Sequence, residues 1–198
     1  MTRRLFLDRT GASAAEFALV LPLLILLLFG MIDTGRYMWE FNRAEKATQM
    51  GARFAVVTDV ISSGLGSQSY VGVGGLTQGD LIPATALSPV TCTSAGCSCA
   101  GACPTNVTSV TAGAFGRVAA RMRLMKSDIA DNNVTVEYRG SGLGYAGDPN
   151  GMEVAPLVTV KLSGLQFRPL SLLMTTHFTM PDFATTLTSE DSSGTASN

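Results

Sequence analysis

The hydrophobic pattern changes character twice along the first half of the chain. Residues 17–32 read FALVLPLLILLLFGMI, 16 residues with no charge and no polar face. Extended upstream through Ala12, Ser13, Ala14, Ala15 and Glu16, the run reaches 21 residues. At about 1.5 Å of rise per residue that is about 31 Å, a full bilayer span. The pattern then becomes amphipathic. Tyr37, Phe41, Ala44, Thr48, Ala52 and Ala55 recur at intervals of three and four, opposite Glu40, Arg43, Glu45, Lys46, Gln49 and Arg53. No internal stop separates the two stretches, so the spacing predicts one helix from Ala12 to about Val57. Its first part, 12–32, belongs in lipid, and its second, 33–57, is a spine for a globular part.

Past Ser62, Ser63 and Gly64 the helical period is lost. Residues 58–112 are rich in Gly, Ser and Thr, contain no Lys or Arg, and hold only Asp59 and Asp80 as acids. They read mainly as surface loop, with short strands around 70–73 and 89–93. Order returns when Phe115, Val118, Ala119, Met122, Met125 and Ile129 fall on one helical face. Strands are then expected over 133–139, 154–162 and 176–186, with a long turn region at 140–151 and a short helix over 167–174. The expected fold class is α+β. A long N-terminal helix packs on a small antiparallel sheet of three or four strands, with a second helix inside an α+β unit at 113–188. The polar end, 189–198, reads as a flexible tail.

Composition sharpens two points. Lys and Arg total 14 against 15 Asp and Glu, a net charge of -1 that argues against nucleic-acid binding by bulk charge. Charged residues are 15% of the chain and mean hydropathy is +0.27, where soluble domains average about 25% charged. Glu16 is the only charge in 12–32. The span therefore explains the hydropathy, while the scarcity of charge belongs to the Gly/Ser/Thr stretch.

Arg3, Arg4 and Arg9, against Asp8, precede the span and favour a cytoplasmic N-terminus with the remainder translocated. A secretory signal peptide would show a small-residue cleavage site after its apolar core, and no A-x-A follows Ile32. A plain signal anchor accounts for the apolar run but not for Glu16, since acids within a membrane segment are costly. The simplest alternative for Glu16 is a boundary residue reaching the headgroups. Pro22, inside the span, removes one backbone hydrogen bond and predicts a kink or local unwinding.

Cys92, Cys97, Cys99 and Cys103 lie on the translocated side, where disulfides persist. Two bridges are expected, and the sequence leaves all three pairings open. A zinc site is less well supported: there is no C-x2-C pair, and the lone histidine, His177, is far along the chain. No H-E-x-x-H, G-x-S-x-G or G-x-x-x-x-G-K occurs, so neither an enzyme nor a cofactor is expected.

The segment Gly11-Ala12-Ser13-Ala14-Ala15-Glu16-Phe17, behind a short basic leader, resembles the type IV prepilin signature. Together with Ala18-Leu19-Val20-Leu21-Pro22, Phe29-Gly30, Gly35-Arg36 and Gly51-Ala52-Arg53, it resembles the TadE-like pseudopilins of the tight-adherence (Flp) pilus system. The resemblance covers about the first 57 residues. It implies that the fold is pilin-like, that residues 1–11 are a leader and that a membrane prepilin peptidase cuts between Gly11 and Ala12. A glycine lets extended backbone pass close to the peptidase carboxylates. Cutting leaves an ammonium on Ala12, one helical turn from Glu16. The resemblance makes Glu16 and Phe17 the residues that set subunit register. It also implies, as partners, the peptidase, other pilins or pseudopilins, the pilus assembly platform and the lipid bilayer. The expected location is the bacterial inner membrane, as a single pass with the C-terminal part periplasmic or extracellular. The competing reading is a permanently anchored protein presenting a ligand-binding domain.

Overall fold

In a computed structural model, which describes residues 12–170, 177–190 and 192–196, the first element is the longest. Helix α1 runs from Ala12 to Val57, 46 residues, as the spacing predicts. The chain divides into two compact units. One comprises Met1–Glu40 with Gln166–Phe178, the other Phe41–Leu165 with Thr179–Asn198.

The second unit is built on an antiparallel sheet. Its strands are β1 (Val90–Thr93), β2 (Gly96–Cys99), β3 (Val134–Arg139), β4 (Leu157–Leu162) and β7 (Phe183–Thr188), in the order β2-β1-β3-β4-β7. The short strands β5 (Gln166–Phe167) and β6 (Phe178–Thr179) pair separately. Alternation sorts the main sheet's faces. Val134, Val136 and Tyr138 of β3 and Val158, Val160 and Leu162 of β4 are buried, while Thr159 and Lys161 point the other way.

The second half of α1 covers the apolar face through small residues. Ala44, Ala47, Thr48, Ala52 and Ala55 are buried. The Phe41 and Phe183 rings meet edge to face at 4.8 Å, and the Thr185 hydroxyl donates to that of Thr48 at 3.1 Å. Gly51 marks the closest approach. A Cβ there would lie 2.7 Å from Met122 Cγ of helix α2 (Ala114–Arg123) and 3.3 Å from Val160 Cγ1, so the missing side chain lets two elements close on α1.

Buried polar groups tie the loops to this core. The Ile61 amide, just past α1, donates to the Tyr138 hydroxyl at 3.1 Å, and burial pushes that phenol up to about 12. Glu137 accepts from Lys161 Nζ at 2.5 Å and from the Arg139 guanidinium. The Lys161 bond, opposed by burial and aided by Arg139, holds its carboxyl below the ordinary range. Burial raises the Glu153 carboxyl, but hydrogen bonds from the Gly147 and Tyr70 amides and the Ser69 hydroxyl more than offset this and leave it lowered.

Several expected elements differ. The stretch 70–73 is a turn leading into a 3-10 turn at Val73–Gly75, because Gly72 and Gly74 adopt positive φ (86° and 60°) and end any extended run. The second helix stops at Arg123, short of Met125 and Ile129, although Ile129 is still buried. The strand expected from 154 begins at Leu157, since Pro156 has no N–H to give to the ladder. The strand expected over 176–186 is broken at Met180-Pro181-Asp182 into β6 and β7. No helix starts at Phe167, which lies in β5, and residues 171–176 of that expected helix lie outside the described residues. The sheet has five strands because the cysteine-bearing stretch contributes β1 and β2. The end expected to be flexible is hydrogen-bonded at Ser189 to Pro156, at Glu190 to Val56 and at Gly194 to Asp59.

Candidate functional site

The residues singled out for processing and assembly sit at the start of α1. Gly11 lies outside the described residues, and the helix begins at Ala12. Glu16 is four residues along, close to one 3.6-residue turn, with its side chain exposed. Phe17 beside it is also exposed. The helix passes through Pro22 unbroken, although its ring nitrogen cannot donate to the Ala18 carbonyl.

What distinguishes this half of α1 is apolar surface with nothing over it. Among the described residues between Ser13 and Ile32, every side chain except Phe29 is exposed, with Leu19 at 81% and Leu23 at 70%. The helix is long and apolar enough to cross a membrane. Gly30 and Gly35 have no atom within 4 Å of where a Cβ would stand, in contrast to Gly51. Those two glycines leave bare backbone where another helix could approach closely.

The first charge after the apolar run is Asp33, and it is buried. Its Oδ1 accepts from Arg36 Nη1 at 3.2 Å and from the Leu170 amide at 2.7 Å. Arg36 Nη1 also donates to the Arg168 carbonyl at 3.2 Å, and its guanidinium lies 5.4 Å from the centre of the Phe167 ring. Tyr37 meets the same ring edge-on at 5.4 Å. An acid and a base three residues apart on α1 thus clasp a segment more than 130 positions away, satisfying its backbone with charge-assisted hydrogen bonds. Sequence reasoning used Gly35-Arg36 only as part of a motif and gave Asp33 no role. The one available signal was the i, i+3 acid–base pair just past the span.

Residues 11–53 match a family model described as TadE-like protein. The match takes in Gly11, Glu16, Pro22, Asp33, Arg36 and Gly51 and ends four residues before α1 does. The sheet and the cysteines lie outside the matched residues. No curated protein and no solved structure was found to match the chain.

The four cysteines all belong to the second unit and form two bridges, Cys92–Cys97 and Cys99–Cys103. The first joins residues directly opposite in the β1–β2 hairpin. The second closes the turn that follows β2. Among the described residues no group of three or more His, Cys, Asp and Glu could hold a metal ion. A hollow of about 320 Å³ beside the β1–β2 turn is lined by Ile61, Thr93, Gly113, Phe115 and Asp131 among others, with Asp131 its one charged side chain. A smaller one, about 170 Å³, is bordered by Tyr70, Val73, Cys103 and Thr105. The buried Tyr70 hydroxyl has no hydrogen-bond partner among the described residues, and burial with the nearby Glu153 charge pushes it up to about 12.

Proposed function

We propose that this chain is a minor pseudopilin, a structural component required to assemble a tight-adherence (Flp) pilus for surface attachment. It is made as a single-pass protein of the bacterial inner membrane, with residues 1–11 in the cytoplasm and the sheet-bearing part outside. A prepilin peptidase removes the leader after Gly11, and the matured chain associates with other pilins or pseudopilins on the assembly platform. The observation that carries this reading is the uncovered apolar half of α1, with a single carboxylate one turn from the expected new N-terminus.

The chemistry of that carboxylate gives the reading its mechanism. An isolated acid at the centre of a membrane helix costs about 3 kcal/mol by insertion scales, less toward the interface. Maturation creates an ammonium on Ala12. Pairing Glu16 with the ammonium of an adjacent subunit neutralises both charges, and only one axial register brings them together. The pairing therefore favours correctly staggered helices over other lateral contacts. The removed hydrogen bond at Pro22 gives the helix a point at which to unwind as it leaves the bilayer. The second unit, with its disulfides, is the part that folds and stays folded outside the cytoplasm.

The test is complementation in a strain lacking this chain but retaining the rest of its pilus system. The wild-type chain restores surface pili. Glu16→Ala enters the membrane fraction at the wild-type level and restores few or none. Normal piliation without the chain would refute the assembly role, and full rescue by Glu16→Ala would refute the pairing.

A further inference from the structure

The clasp at Asp33 brings a second stretch of chain to the membrane boundary. If residues 12–32 cross the bilayer, Asp33 stands where the hydrocarbon ends. The Leu170 amide is 2.7 Å from Asp33 Oδ1, so Leu170 is held at that level by a direct bond. Leu170 is nevertheless 59% exposed, and Phe178, on the strand β6 that pairs with β5 in the same unit, is 44% exposed. Arg168, between the clasped backbone and Leu170, also has an exposed side chain. Phe29 lies one helical turn before Asp33, inside the apolar run. It alone among the described residues 13–32 is shielded, on the same face of α1 as Asp33, Arg36 and Tyr37. The clasped stretch bonds and packs against Asp33, Arg36 and Tyr37 on that face.

Charge satisfaction at this place argues against a merely solvent-exposed loop. Asp33 is buried by a pair whose arginine also stacks on Phe167 and binds the Arg168 carbonyl. That fixes the backbone from Phe167 to Leu170 while leaving the apolar side chain of Leu170 outward. An aromatic and an aliphatic residue beside an exposed arginine, at the end of a membrane span, is the arrangement that suits the headgroup region. Apolar side chains enter the acyl boundary and a guanidinium reaches phosphate.

We propose that Leu170 and Phe178 enter the outer interface of the bilayer, with Arg168 toward the lipid phosphates and the Asp33–Arg36 pair as the clasp holding them there. The chain then contacts lipid at two places, which fixes the rotation of α1 about its own axis as well as its depth. The proposal rests on the membrane-span reading, and the following experiment separates the two.

The full-length protein, native disulfides intact, is reconstituted in phosphatidylethanolamine/phosphatidylglycerol bilayers. It carries a nitroxide on one introduced cysteine at a time: Ile25→Cys, Leu170→Cys, Phe178→Cys or Leu124→Cys. Collision with oxygen, which concentrates in lipid, is compared with collision with a water-soluble nickel chelate. Labels at 25, 170 and 178 are expected to favour oxygen, and the label at 124, an exposed position of the second unit, to favour nickel by several-fold. A lipid-facing label at 25 with nickel-accessible labels at 170 and 178 overturns the proposal and leaves the span intact. Exclusion of both reagents at 170 means that protein covers the site and also overturns it. A nickel-accessible label at 25 overturns the span reading itself. Adding Asp33→Ala or Arg36→Gln should move the label at 170 several-fold toward nickel while the label at 25 is unchanged, and no movement in either variant would refute the clasp.

Discussion

The two halves of α1 invert the usual relation between side-chain size and burial. Residues 17–32 supply leucines, isoleucines and phenylalanines, and nearly all are exposed. Between Ala44 and Ala55 the buried positions are mostly Ala, Gly and Thr. Burial of a large aliphatic side chain is worth about 1.5–3 kcal/mol, so a row of uncovered leucines is unstable in water and requires another medium or another chain. Small residues in the second half serve a different purpose, letting the sheet and α2 come within contact distance of the helix backbone. One continuous helix therefore has an uncovered half and a half packed within the chain, and the change from large to small side chains marks the boundary between them.

Substitutions in each half should have separable effects. The largest is expected from Ile25→Lys, which places a charge mid-span at a cost of about 3 kcal/mol to insertion. Carbonate extraction should show a loss from the membrane fraction, while the thermal unfolding of the second unit is unmoved. A destabilised second unit would mean that the halves are not independent. Gly51→Val tests the other side. Its methyls would collide with Met122 and Val160, and urea unfolding of the full chain in mild detergent should show about 2 kcal/mol of lost stability with membrane insertion unchanged.

Removing either disulfide, as Cys92→Ala with Cys97→Ala or Cys99→Ala with Cys103→Ala, should cost about 2 kcal/mol in the same assay, from the entropy of closing a short loop. The smallest effect concerns Glu137. Its folded-state carboxyl lies below the unfolded value of about 4.3, so its contribution is present above that pH and is lost as pH falls through the folded pKa. Lys161 and Arg139 are 44% and 59% exposed, and solvent screening limits the effect to about 1 kcal/mol or less. Stability measured from neutral pH down to the folded pKa should fall less steeply in Glu137→Gln than in the wild type. An identical slope would show that the pair carries no net charge coupling.

How much of this was legible in the sequence follows from the range over which each feature is encoded. α1 was readable to its ends because a charge-free run and a following i, i+3, i+4 stripe are local signals that reinforce one another. Strands β3 and β4 were readable from alternation, with Pro156 shifting the start of β4. Strand β2 was not, since Gly96-Cys97-Ser98-Cys99 has no β-branched or aromatic residue and is held by its partner β1 and the Cys92–Cys97 bridge. The clasp was the least legible feature. Asp33 and Leu170 are 137 residues apart, and neither carries a local mark of the other. The apolar surface and the position of Glu16 needed no tertiary information, which is why the proposed assembly site could be named before the fold was known.

The central claim is that the uncovered half of α1 belongs to a matured pilin rather than to a permanent anchor. Intact-mass measurement of the membrane protein co-expressed with its prepilin peptidase tests this most directly. The account predicts a chain beginning at Ala12, and retention of residues 1–11 under those conditions would contradict it.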